Sequence, residues 1–139
     1  MKQIGTQRGL SVLEVMVAIT LFLVIAAGLA STTVGSIRAN ATSRDLTAAA
    51  ALVHDKMEQF RALDPAANPA DLAAGSHNDP LNPVNALGQA GGIFNRSWAV
   101  VANSPTLGVS QVTVTVTWRD PAPRTLVGVT YVCRTTTCC

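Results

Sequence analysis

Residues 8–30 read RGLSVLEVMVAITLFLVIAAGLA. From Leu10 to Ala30 the only charged side chain is Glu14. A helix over that stretch would span ~30 Å, the hydrocarbon thickness of a bilayer. The nine residues before it, MKQIGTQRG, are polar and carry Lys2 and Arg8. A positive flank ahead of an apolar run predicts that the flank stays cytoplasmic and that the chain beyond the run is exported.

Three readings of this segment compete. In a secretory signal peptide, Gly28-Leu29-Ala30 before Ser31 would be a small-residue cleavage site. A plain single-pass anchor would keep the segment whole. A short leader could instead be trimmed just before the apolar run. Glu14 discriminates among them. A carboxylate costs roughly 3 kcal/mol at the centre of a bilayer, and an acid kept inside a span marks a functional position. Neither a signal peptide nor a plain anchor uses it, unless it sits near the headgroups and snorkels outward.

The run Arg8-Gly9-Leu10-Ser11-Val12-Leu13-Glu14 resembles the type III signal of type IV pilins and of the pseudopilins of type II secretion. In that family a short basic leader ends in Gly, and Glu is the fifth residue after it. The resemblance covers residues 1 to about 60. It departs at Leu10, where the family usually has Phe or Met. It implies cleavage between Gly9 and Leu10 by a membrane-embedded prepilin peptidase, and N-methylation of Leu10 by the same enzyme.

The residue types suit that chemistry. Gly9, without a side chain, lets an extended backbone enter a narrow protease cleft. Cleavage creates an α-amine on Leu10 at the edge of an apolar helix, where it needs an anionic partner. Glu14, of the same subunit or a neighbour, supplies one. Two unit charges ~4 Å apart attract by about 4 kcal/mol at an effective dielectric near 20. An unpaired charge there is penalised, so the pair sets the register at which subunits dock. Removing Lys2 and Arg8 from the 10 basic residues leaves 8, matching the 8 acidic ones.

Residues 31–63 continue the helix as an amphipathic segment. Leu46, Ala50, Val53, Met57 and Phe60 recur at steps of three and four and predict one apolar stripe. Arg44, Asp45, Asp55, Lys56, Gln59 and Arg61 fall off it, and His54 lies on the polar side. Gly28 and Gly35 mark two possible kinks. Asp64-Pro65 stops the helix, because Pro disfavours the α region at the residue before it. A helix from Ser11 to Leu63 would be ~80 Å long. Its second half needs a partner for the stripe, most simply a sheet of the same chain.

Residues 64–92 read as a long irregular loop, with Pro65, Pro69, Pro80 and Pro83 and a run of Asn and Gly. Asp71, His77 and Asp79 raise the question of calcium, but their spacing forms no regular set of oxygen ligands. A solvated loop with His77 exposed is the expectation, and no metal or other cofactor is expected.

Residues 93–133 are strand-rich. Phe94, Trp98 and Val100 share one face of a first strand, and Asn103–Gly108 is a turn. Val112, Val114, Val116 and Trp118 then alternate with Thr113, Thr115 and Thr117, which predicts a half-buried strand with its Thr face outward. Asp120-Pro121-Ala122-Pro123 is the next turn, and Thr125–Cys133 the next strand. Strands joined by short turns form an antiparallel meander. The expected class is α+β: one long N-terminal helix, hydrophobic in its first half, on a three- or four-stranded antiparallel sheet. The resemblance implies the pilin arrangement of these parts.

Residues 134–139 form a tail, and the three cysteines are Cys133, Cys138 and Cys139. An exported domain sits where disulfides persist. Cys133 with Cys138 or Cys139 would close a small loop, similar to the C-terminal disulfide region of many pilins. One cysteine is then left over.

Composition excludes several classes. A net charge of +2, with no basic run, gives no support to nucleic-acid binding. Charged residues are 13% and hydrophobic ones 48%, which excludes disorder over most of the chain. No Gly-x-Ser-x-Gly, His-Glu-x-x-His or Gly-rich phosphate loop is present, so the expectation is a non-catalytic protein. Through Leu13-Glu14-Val15-Met16-Val17, Lys56-Met57-Glu58-Gln59 and Trp118-Arg119-Asp120, the chain resembles minor pilins of the PilV kind. Minor pseudopilins of type II secretion are the alternative. The expected partners are the prepilin peptidase, a major pilin and other minor pilins or pseudopilins, and an inner-membrane assembly platform. The expected place is the inner membrane, single-pass, with the globular part in the periplasm, and then the filament. A membrane-anchored periplasmic binding protein or enzyme is the alternative from another class.

Overall fold

The structure is a computed structural model that describes residues 11–64 and 70–134. Two compact units divide the chain, Met1–Ala41 and Thr42–Cys139. One α-helix, α1, runs through Val12–Ala62, unbroken at Gly28 and Gly35. It ends just before Asp64-Pro65, as the restriction on the residue preceding Pro requires.

A single 3₁₀ turn, Ala70–Leu72, precedes four strands: β1 Gly75–Asn78, β2 Asn95–Ala102, β3 Val109–Asp120 and β4 Ala122–Cys133. They form one antiparallel sheet in the order β1-β2-β3-β4. The fold is therefore α+β, a long N-terminal helix packed on a four-stranded antiparallel sheet. β1 lies inside the stretch read from sequence as irregular loop. Its four residues have no apolar alternation, and the strand forms because β2 offers a free edge to pair with.

The alternation in β3 does what its period dictates. Val112, Val114, Val116 and Trp118 are buried, and the Thr side chains between them lie on the other face. Trp98 and Val100 of β2, with Phe94 just before it, extend the same core. α1 contributes Ala49, Leu52, Val53 and Phe60. The stripe expected at Leu46 and Ala50 has moved: both are exposed, and Ala49 and Leu52 face the sheet instead. The other three residues of that stripe, Val53, Met57 and Phe60, do lie against the sheet, and Gly128 on β4 leaves room for Val53 and Met57. A Cβ there would collide with Val53 Cγ1 and Met57 Sδ. Among residues expected on the polar side, Lys56 is buried.

The chain between β1 and β2 is zipped onto β2 rather than loose. The Asn82 side-chain amide donates to Arg96 O (2.7 Å) and accepts from Arg96 N (2.8 Å), copying a ladder pair. Val84 and Phe94 exchange both backbone bonds, at 2.7 and 3.1 Å. Asn85 Oδ1 accepts from Leu87 N and Gln89 N, which closes the turn between them. The β3–β4 connection is tighter than the expected four-residue turn, with Asp120 and Ala122 already paired.

Candidate functional site

In the first unit, every described residue from Ser11 to Ala41 is exposed. Large apolar side chains dominate this surface, from Val12 and Leu13 through Phe22 and Ile25 to Ile37. Fully burying one such side chain is worth roughly 1.5–3 kcal/mol, so a helix lined with them demands an apolar surrounding from outside the chain. The hydroxyls along it suit such a surrounding. Thr20 donates to Met16 O (2.7 Å), Ser31 to Gly28 O (2.8 Å), and Thr32 and Thr33 to Leu29 O (both 2.9 Å). Each of these four hydroxyls is satisfied by a carbonyl of the helix itself, and its desolvation cost falls accordingly. By length and composition this helix can cross a membrane.

Glu14 is in the first turn of α1, where Glu14 N and Val15 N donate to Ser11 O at 3.0 and 3.2 Å. An acid at a helix N-terminus is favoured by the macrodipole by about 0.3–1 kcal/mol. Glu14 is the only charged residue between Ser11 and Ile37. The expected cleavage and methylation positions, Gly9 and Leu10, lie outside the described residues.

In the second unit, two buried cations organise the core. Arg96 on β2 lies between Phe94, just before the strand, and Trp98 within it, and points inward by strand parity. Its Nε and Nη2 bond Asp79 Oδ2 at 2.8 and 2.6 Å. Its Nη1 reaches Leu52 O (3.3 Å) and Asp55 Oδ2 (3.4 Å) on α1. One side chain thus ties β2 to the helix and to the segment after β1. Asp79 Oδ1 also accepts Leu81 N at 3.0 Å. Burial raises the Asp79 carboxyl, but the Leu81 bond and the Arg96 guanidinium outweigh it and hold the group below its usual range.

Lys56 is the second cation. Its Nζ lies 4.1 Å from the Trp98 ring centre and 5.0 Å from that of Phe60, with Asp71 Oδ2 at 3.5 Å. Trp98 Nε1 donates to Asp71 O at 2.9 Å. His77 stacks on Trp98 at 5.7 Å, and its Nε2 contacts Ala73 O at 2.8 Å. His77 is thus half-buried against an indole rather than loose in solvent; His54 is exposed, as expected.

The structure separates the residues considered for calcium. Asp71 faces Lys56, Asp79 faces Arg96, and His77 packs on Trp98. Among the described residues, no three His, Cys, Asp or Glu side chains form a metal-sized cluster. Cys133, at the end of β4, is disulfide-bonded. Cys138 and Cys139 lie outside the described residues. Sequence reasoning missed Arg96 and Lys56 as organisers. The parity of β2 carried the signal for Arg96; nothing local carried it for Lys56, whose stem is buried by Trp98 from a distant strand.

No protein-family model, no curated protein and no solved structure matches this chain.

Proposed function

We infer that the chain is a non-catalytic filament subunit, a minor pilin of a type IV pilus. It is made with a nine-residue leader, trimmed at Gly9–Leu10 and N-methylated on Leu10. It is held in the inner membrane by residues 10–30, with the globular part in the periplasm, until it is drawn into the filament. There it initiates, caps or modifies the fibre. Its partners are the prepilin peptidase, the major and other minor pilins, and the assembly platform of the inner membrane.

The observation that carries this reading is the lone acid. Glu14 sits in the first turn of a helix whose described surface from Ser11 to Ala41 is wholly exposed. A carboxylate carried into an apolar surrounding requires a cation beside it, and the new amine of Leu10 is one the chain can make. The packed second half of α1 supports the same reading. Gly128 and Arg96 fix it to the sheet, so the apolar run leads into a folded domain without a break in the helix.

The test is incorporation. Glu14→Val should be trimmed normally and remain in the membrane, yet be absent from sheared filaments. A variant that enters filaments at the normal level contradicts the role given to Glu14. Loss of protein secretion with filaments intact would assign the subunit to a type II secretion pseudopilus instead.

A further inference from the structure

The tip of the β3–β4 hairpin stands apart from the rest of the sheet. β2 pairs with β3 only as far as Asn95↔Thr117. Beyond that rung the ladder continues as Trp118↔Arg124, Arg119↔Pro123 and Asp120↔Ala122, with no third strand beside it. Pro123 brings no N–H to its rung. A two-stranded ribbon is marginal in water unless something packs on it.

Residues 42–57 of α1 supply that packing. Gly128, paired with Val114, lies under Val53 and Met57, while Asp120 meets Thr42, so this part of the helix follows β3. Val114, Val116 and Trp118 all turn their buried side to it. At the tip the tie is thin. Thr42 Oγ1 donates to Asp120 Oδ2 at 3.1 Å. Among the described residues this is the only hydrogen bond or ion pair between α1 and residues 118–124. Arg124 Nε bonds Asp120 O, which is within the tip itself.

Beside that tie lies Trp118, 5% exposed, its ring 5.9 Å from that of Phe94. Its indole N–H is buried and, among the described residues, has no hydrogen-bond partner. The other indole is unlike it, since Trp98 Nε1 donates to Asp71 O. A buried donor without a partner carries a desolvation cost that contact with water removes.

We propose that residues 118–124 form a flap, latched to α1 by the Thr42–Asp120 hydrogen bond, which opens while the rest of the domain stays folded and brings the Trp118 indole to water. Opening breaks one hydrogen bond and the packing of one ring. It hydrates one N–H and leaves the β2–β3 ladder and the contacts of Arg96 in place. Segments tied this thinly supply the low-energy openings of a fold. The flap depends on neither the membrane nor the filament reading, so either can fail without the other.

The test is hydrogen exchange by nuclear magnetic resonance, on the full chain in detergent micelles, with urea kept below the unfolding transition. The Trp118 indole N–H, assigned through its own ring protons, is compared with the Val114 amide in the middle of β3. In the parent chain the indole should be the less protected of the two. Its protection should also change little with urea, because a local opening exposes little surface. Thr42→Val should lower the Trp118 protection by roughly fivefold to tenfold, and Thr42→Ser should keep the parent value, since it keeps the hydroxyl. Trp118 and Val114 with equal protection and the same urea dependence overturn the proposal, because the ring then leaves the core only when the sheet unfolds. So does a Thr42→Val chain whose Trp118 protection is unchanged, which would leave the flap without this latch.

Discussion

The guanidinium of Arg96 holds the carboxylate of Asp79 at 2.6 Å, and both side chains are buried. The pair joins β2 to the segment after β1, and Arg96 continues the link to Leu52 O on α1. Removing one member leaves the other charge buried with too few partners. Asp79→Ala should therefore cost about 3–5 kcal/mol in denaturant unfolding of the chain in detergent. Replacing both by apolar residues, Arg96→Met with Asp79→Leu, should cost less than the single change. A single-variant loss under about 1 kcal/mol would show that Asp55 and water carry Arg96 without Asp79.

The same pair sets an acid dependence. The Asp79 carboxyl is held below its reference value of 3.8 in the folded chain. Its contribution is therefore complete above that value and is lost as pH falls through the lower, folded one. Stability should drop on acidification below about pH 4, and Asp79→Asn should show a shallower drop over the same window. Parallel pH profiles for the two chains would contradict this account.

Gly128 is required by its position under the helix. A Cβ at this position meets Val53 and Met57. Gly128→Val should destabilise by about 1–3 kcal/mol through overpacking. Val53→Ala in the same chain should recover part of that loss, because the cavity it opens lies where the new side chain needs room. Thermal unfolding of the two single variants and the double variant checks this, and strict additivity would refute the contact.

Lys56 stabilises through its stem and its place over two rings. Lys56→Met keeps the stem and removes the charge, so it should cost no more than about 1–2 kcal/mol, while Lys56→Ala costs more. Near-ultraviolet circular dichroism should change in both, since Trp98 loses its cation. Equal losses for Met and Ala would place the whole effect in the charge.

Much of this fold was legible from periodicity. The alternation of Val112 to Trp118 marks a strand with one buried face, and the apolar run from Leu10 to Ala30, broken by the single charge of Glu14, marks the first part of a long helix. Features set by distant partners were not legible. β1 exists because β2 has a free edge, and its own four residues, Gly-Ser-His-Asn, have no strand signature. Of the expected stripe, Val53, Met57 and Phe60 lie against the sheet, but Ala49 and Leu52 are buried in place of Leu46 and Ala50, a shift that nothing in the helix's own sequence signals. Lys56 looks like a surface residue until Trp98 and Phe60 are brought beneath it. Glu14 shows the reverse case. It was conspicuous in sequence because it conflicts with its surroundings, and the partner proposed for it is one that processing must create.

Intact-mass analysis of the subunit taken from native filaments tests that proposal most directly. The account predicts a chain that begins at Leu10 with one added methyl group on its amine. Filament material that begins at Met1 or at Ser31 would contradict it.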